Sequence, residues 1–359
     1  MKKLILHDFH QRQGARFKTV NNWMIPAAYA NLTVELEAPK TKLALLDRSY
    51  LGKVILRGND ALDLLNRIST NDMTGLIVGM VCDTVFTTPK GRIVDYCRVL
   101  HMEEGLLVVS SYMDSAHLIN WINRFIILED VEVEDATGRF LWLTLVGPDS
   151  LPFVRSISHK RVVQDDEQIW VEYEGTLFPA LLNENFLVNA YNFCLPAQEG
   201  ETLFGWLFQQ LLASGGTLIG DEAFQVIRIE SGMPDWGTEL NENYNPHEAR
   251  LLNAVSFTKE SYTGQEVIAR LDTYDKVQKY LMIIEMDDKI DGGLPLDIYL
   301  DNDKIGTLTS YADDPLRKRH IGLAYINKQY AVEDFNLQVE VQTARKRIPS
   351  VLRKPPTGI

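Results

Sequence analysis

Apolar positions along the chain recur at two different spacings, and the switches between them mark out a mixed α and β protein. Lys53-Val54-Ile55-Leu56-Arg57 reads as a short strand between Gly52 and Gly58. Asn59 or Asp60 then caps a helix whose Ala61, Leu64, Leu65 and Ile68 stand at i, i+3, i+4 and i+7, one buried stripe. A meander of three strands follows. Cys82 to Thr87 leads through Pro89-Lys90-Gly91 into Arg92 to His101, and Glu103-Glu104-Gly105 turns into Leu106 to Val109. Asp114 caps a helix with Leu118, Trp121, Ile122 and Phe125 inward, and Val131 to Glu134 and Phe140 to Val146 return to strand. From Trp170 to Pro196 the pattern is mostly β. A helix from about Glu201 aligns Phe204, Leu207 and Leu211 and stops at Gly215-Gly216. Asp221 caps another, carrying Ala223, Val226 and Ile227 and ended by Gly232 and Pro234. Beyond Lys276 only strand patterns remain: Tyr280 to Met286, Leu296 to Leu300, Lys304 to Ser310, Ile321 to Ile326 and Leu337 to Val341. Asn302-Asp303 supplies a hairpin turn, so the chain ends in an all-β unit.

Composition narrows the class. The 359 residues allow two or three domains, and 45% hydrophobic with 24% charged residues is ordinary for a globular protein. No apolar run approaches the ~20 residues a membrane helix needs. Asp8 and His10 interrupt the first apolar stretch too early for a signal peptide, so a cytoplasmic protein with no membrane attachment is expected. The net charge of −13 argues against broad nucleic-acid binding. Basic runs at Arg317-Lys318-Arg319-His320, Arg345-Lys346-Arg347 and Arg353-Lys354 read as either a local anion site or a solvated face, and the second reading is favoured. Three cysteines, Cys82, Cys97 and Cys194, lack C-x-x-C spacing and read as reduced, packed thiols with no metal site.

Two places carry candidate chemistry. On the strand Arg92 to Leu100, alternation puts Ile93, Asp95, Cys97 and Val99 on one side, a row apolar except for the aspartate. Asp95 is then either a desolvated base in a cleft or a carboxylate paired at the sheet edge. Thr263 followed by Glu266 forms a capping box that starts a helix at Gly264, with free amides as a possible anion or carbonyl site. Trp23, Tyr29, Tyr96, Trp236 and Tyr262 suit a planar ligand, although each alone is more often core. No H-E-x-x-H, nucleophile elbow or G-x-G-x-x-G after a strand occurs, so zinc, NAD and ATP are weak expectations.

The segment Lys259-Glu260-Ser261-Tyr262-Thr263-Gly264-Gln265-Glu266 resembles the K-G-C-Y-x-G-Q-E signature of YgfZ-type folate-binding proteins, relatives of the glycine-cleavage T-protein, with Ser261 in the cysteine's place. Further segments are similar to that superfamily in the same order: Trp23 to Tyr29, Gly58 to Ala61 with Thr70-Asn71-Asp72, Leu145 to Pro148, Arg228 to Pro234, Gly306 to Ser310 and Ile321 to Tyr325. The resemblance implies an α+β, three-domain cloverleaf with a C-terminal antiparallel β-barrel, set around a central folate cavity. The implied domains are residues 1–51 plus 140–250 (folate-binding), 52–139 plus 251–275 (ferredoxin-like) and 276–359 (barrel). It implies transfer of an aminomethyl unit from a lipoylated carrier protein to tetrahydrofolate, with Asp95 catalytic. Tyr96, Asn192, Trp236, Tyr262 and Gln265 are the implied folate contacts. Tyr96 replaces the second aspartate of the transferase turn, Asn192 its pterin-binding glutamate, and Phe224 an arginine. A non-catalytic YgfZ-like factor supporting iron–sulfur enzymes or tRNA modification is the alternative, and Ser261 counts against it because it offers no thiolate. A related scaffold that no longer binds folate is the third reading.

Overall fold

In the computed structural model, which describes residues 1–163, 166–331 and 336–356, three main sheets organise the chain. A seven-stranded sheet runs in spatial order Ser158–Val163, Gln168–Tyr173, Thr176–Leu182, Ala190–Pro196, Phe140–Val146, Ala44–Asp47 and Thr217–Leu218, antiparallel except at its last pair. The helix Gly200–Ala213 covers one face through Leu203, Phe204, Leu207 and Leu211. The helix Asp221–Glu230 packs Ala223, Val226 and Ile227 into a separate cluster. A five-stranded sheet orders Val81–Thr87, Ile93–Met102, Gly105–Ser110, Lys53–Arg57 and Glu132–Asp135. Its helices, Ala61–Ile68 and Ser115–Asn123, bury Leu64, Leu65, Ile68, Leu118, Trp121 and Ile122 against it. Trp142, Cys194, Ile55, Leu100 and Leu107 form an apolar seam joining these two sheets. Six strands from Lys279 to Arg353 close into a barrel. The protein is thus a mixed α and β fold with a closed C-terminal barrel.

Four local expectations change. Asp221 is the first residue of its helix rather than the cap; Gly220 holds the cap position, and the Asp221 carboxylate pairs with Lys18. Leu300 pairs with Asp303, so the hairpin turn is Asp301-Asn302, with Asp301 at φ 53°. The strand Arg347–Arg353 joins the barrel with Ile348, Ser350 and Leu352 inward. The capping box does not form. Gly264, at φ 86°, is the residue before the helix Gln265–Thr273, and no side chain caps it. Thr263 instead uses its backbone, accepting from Thr87 Oγ1 and donating to Arg67, while Glu266 pairs with Arg270.

The basic runs are neutralised within the chain. Arg317 and Arg319 pair with Glu230, His320 with Asp313, Lys346 with Asp288, Arg347 with Glu340 and Arg353 with Glu285. They form a paired surface rather than an open anion site. The three cysteines are free, and burial raises the thiol pKa of Cys82 and Cys194 to about 12, which makes them poor nucleophiles. No helix among the described residues is long and apolar enough to cross a membrane.

Candidate functional site

Residues from four separate parts of the chain converge on a cavity of about 70 Å³. Arg48 and Leu51 enter from the loop after the strand Ala44–Asp47. Asp83, Tyr96, Arg98, Val109, Ser110 and Ser111 come from the five-stranded sheet and its edge. Trp142, Asn183, Asn185 and Asn192 come from the seven-stranded sheet and the turn after Leu182. Met233, Pro234 and Asp235 close it from the loop after the helix Asp221–Glu230.

The loop carrying Arg48 is fixed from below by buried polar groups. Asp47 accepts from the Ser49 amide at 2.8 Å and from His10 Nε2 at 2.8 Å, and the Tyr29 hydroxyl meets His10 Nδ1 at 2.7 Å. Burial alone would raise the Asp47 pKa, but the His10 and Ser49 contacts win and lower it. Lys53, fully buried, donates to the Ser49 and Leu51 carbonyls at 2.8 Å each, and burial lowers its pKa to about 8. Arg48 therefore projects from a rigid turn.

Inside the cavity, Arg98 grips Asp83 through two bonds of 2.7 and 2.8 Å and also donates to the Leu182 carbonyl. The Tyr96 hydroxyl donates to Asp83 at 2.9 Å and accepts from Asn185 Nδ2 at 2.9 Å. Asn192 Oδ1 accepts from Thr144 and, at 3.5 Å, from Asn183, leaving Nδ2 as the atom it can offer a ligand. Asp235 faces the cavity with a raised pKa. Burial is the main cause, opposed by Arg228 and Arg48. Two polar atoms of lining residues, Arg48 Nε and Asn185 Oδ1, are buried away from the open space and have no hydrogen-bond partner among the described residues.

Of the residues singled out in the sequence, Tyr96 and Asn192 line this cavity. Asp95 does not. The sheet register shifts between Phe86 and Thr87, opposite Asp95 and Ile93, so Ile93 leaves the row and joins a different core cluster. Tyr96 and Arg98 take the cavity face, and Asp95 is fully buried one layer behind. Its carboxylate accepts from the Ser110 hydroxyl, the Ser111 hydroxyl at 2.6 Å and the Ser111 amide at 3.2 Å. Burial raises its pKa against the pull of those hydroxyls and of His117. Trp236 stacks on Tyr112 with centroids 3.5 Å apart and lies beside the cavity, outside its wall. Tyr262 packs with Val255 and Ile268 beneath the Lys259 ammonium, 5.2 Å from its ring centre, and Gln265 donates weakly to the Lys259 and Glu260 carbonyls. Both serve the local fold. Ser261 is exposed to solvent. Phe224 is buried, and the Arg48 guanidinium lies over its ring at 4.5 Å.

Arg48, Asp83, Arg98, Asn183, Asn185 and Asp235 were not read as site residues. Asp83 and Arg98 are direct cross-strand partners, and a correct register for the two strands would have exposed that pair. The asparagines and Asp235 sit in turns, where their residue types are unremarked locally.

Comparison with known proteins agrees with the fold. Residues 6–259 match the model of the GCVT N-terminal domain, and residues 279–357 match the glycine cleavage T-protein C-terminal barrel domain. The chain is 28% identical over 90% of its length to a chloroplastic protein of Arabidopsis thaliana carried under a provisional transferase name, 74% of which is covered. It is 26% identical over 99% of its length to an aminomethyltransferase of Halalkalibacterium halodurans, and 27% identical over 99% to one of Bacillus cytotoxicus, covering 98% of each. In fold it is similar to the crystal structure of the glycine cleavage system aminomethyltransferase T of Bartonella henselae, with a TM-score of 0.84 at 17% identity, covering 99% of this chain and 97% of that one.

Proposed function

Because the chain belongs to the glycine cleavage T-protein family, we propose that it binds tetrahydrofolate in the cavity and transfers an aminomethyl unit to it, taken from a lipoylated carrier protein. The observation that carries this reading is the convergence of Tyr96, Asn192 and Asp235 on one cavity. The residues fit a reduced pterin. Asn192 Nδ2 donates to a ring acceptor, Tyr96 forms a flat wall, and Asp235 accepts from ring nitrogens. Tetrahydrofolate supplies the nitrogen that accepts the one-carbon unit.

Asp235, rather than Asp95, is the carboxylate that faces the ligand. It stabilises positive charge as it develops near the reacting nitrogen, in surroundings that screen charge poorly. Asp95 acts through Ser110 and Ser111, fixing two hydroxyls on the cavity wall, and is a positioning residue. The three free thiols are in keeping with a reducing compartment such as the cytoplasm.

Turnover measured with an aminomethylated carrier and tetrahydrofolate tests the assignment. Asp235→Asn is expected to lower kcat about a hundredfold, and Asp95→Asn about tenfold with folate affinity kept. Equal losses, or a larger loss in Asp95→Asn, would return the catalytic role to Asp95. Tyr96, where the transferase turn has an aspartate, favours the non-catalytic YgfZ-like reading. Tight folate binding with no transfer by the wild type would select it.

A further inference from the structure

The junction of the two large sheets opens a second time, at the end away from Tyr96. On the strand Ile93–Met102, the face that gives Tyr96 and Arg98 to the central cavity continues as Leu100 and Met102. On Ala190–Pro196, the face that gives Asn192 continues as Cys194 and Pro196. These four residues line a cleft of about 640 Å³, which shares no lining residue with the central cavity. Its size is that of a small-molecule site. Phe140, Trp170 and Pro179 give it flat apolar walls. Val78 and Leu177, 52% and 45% exposed, extend that apolar surface to solvent.

The polar side chains of the cleft offer acceptors. His101 Nδ1 meets the Leu76 carbonyl at 2.7 Å; a carbonyl only accepts, so Nδ1 carries the proton and Nε2 of the neutral ring keeps its lone pair. His101 Nε2 is accessible rather than buried. His159 Nδ1 lies 2.5 Å from the Glu172 carboxylate, which sets the same tautomer. Glu104 is held by Arg57 and Arg139, whereas exposed Glu103 has no ion-pair partner among the described residues. No lysine or arginine among the described residues lines the cleft. No three such groups come close enough to hold a metal ion among the described residues, so the cation they suit is an organic one. We propose that this cleft binds a small amphipathic amine, with an aryl body against Trp170, Phe140 and Pro179 and an ammonium head donating to His101 Nε2 beside Glu103. The proposal goes beyond the folate reading and does not rest on it.

Calorimetric titration of the full-length protein with phenethylamine, phenethyl alcohol and hydrocinnamate tests this, since the three share one aryl body and differ in the head. Wild type is expected to bind phenethylamine saturably and about tenfold or more tighter than hydrocinnamate, with the alcohol between them. Glu103→Lys, in an exposed turn, is expected to weaken the amine about tenfold and to erase its preference over hydrocinnamate. Leu177→Ser, which shortens the apolar wall at a half-exposed position, is expected to weaken phenethylamine about tenfold. Asp235→Asn, in the central cavity, is expected to leave phenethylamine binding unchanged. Absence of saturable heat at millimolar phenethylamine, no preference over hydrocinnamate, or binding indifferent to both cleft substitutions overturns the proposal. Weakening in Asp235→Asn would place the amine in the central cavity and overturns it as well. None of these results bears on tetrahydrofolate binding, so the two readings fail separately.

Discussion

Asp235 is set apart from the other carboxylates of the cavity by what surrounds it. Asp83 is gripped by Arg98 and Tyr96, and Asp95 is sealed behind serines, whereas Asp235, held only by the Trp236 amide and by Arg228 3.8 Å away, lines the cavity with a raised pKa. Two consequences follow from that direction. Its ionised form, the one that stabilises a cationic centre, is lost as pH falls through a value above the ordinary ~3.9. The acid limb of kcat/KM is therefore expected above ~4 and is expected to vanish in Asp235→Asn; a limb unchanged in that variant would contradict the role. For stability the sign is opposite to that of an ordinary paired aspartate. The folded state holds this proton more tightly than the unfolded chain, so the contribution is present below the unfolded pKa and is lost as pH rises through the folded one. At neutral pH, Asp235→Asn is thus expected to leave the melting temperature unchanged or higher. At this scale the sequence was only partly legible. Tyr96 and Asn192 were found through resemblance. Arg48, Asn185 and Asp235 were not, because an arginine after a buried strand and polar residues in turns look the same whether they face solvent or a ligand.

The element that resembles the folate-binding signature most closely does architectural work. Tyr262 fills a small core, and Lys259 donates to the Asn66, Ser69 and Asn71 carbonyls. A Cβ on Gly264 would stand 2.6 Å from the Thr88 carbonyl oxygen and 3.2 Å from the Gly91 Cα. With φ at 86° as well, Gly264→Ala is expected to cost about 1–3 kcal/mol in urea unfolding. Thr263→Ala should cost less than about 0.5 kcal/mol; a loss of ~1 kcal/mol or more would mean that Thr263 does cap the helix. Most elements were legible because period-2 and helical patterns report directly on which face is buried, as the stripe Ala61, Leu64, Leu65 and Ile68 illustrates. The shift at Phe86 and Thr87 was not, since strict alternation presumes an unbroken register. The strand Arg347–Arg353 was hidden by its own polar outer face and Pro349.

At the scale of the whole molecule, a buried charge joins the barrel to the rest. Glu239, fully buried, accepts from Thr309 and Ser310 of the barrel strand Asp303–Asp314 and from Thr238 and the Asp235 amide, while Arg228 lies 3.4 Å away and reaches Ser310. The Tyr325 hydroxyl donates to the Glu239 carbonyl. Glu239→Ala leaves buried Arg228 with only Asp235, 3.8 Å away, as counter-charge, and is expected to lower unfolding stability by about 2–4 kcal/mol. A loss under ~1 kcal/mol would show that the joint is held by apolar packing alone. Because this joint borders Asp235, it also fixes one wall of the cavity. The cavity was the least legible feature of the sequence: its lining spans Arg48 to Asp235, and no local pattern brings such distant positions together. Titration of the wild-type protein with tetrahydrofolate in a calorimeter addresses the cavity most directly. The expected result is saturable one-to-one binding that Asp235→Asn weakens and Ser261→Ala leaves unchanged. Absence of heat at millimolar tetrahydrofolate, or binding indifferent to Asp235, would contradict a pterin site in this cavity.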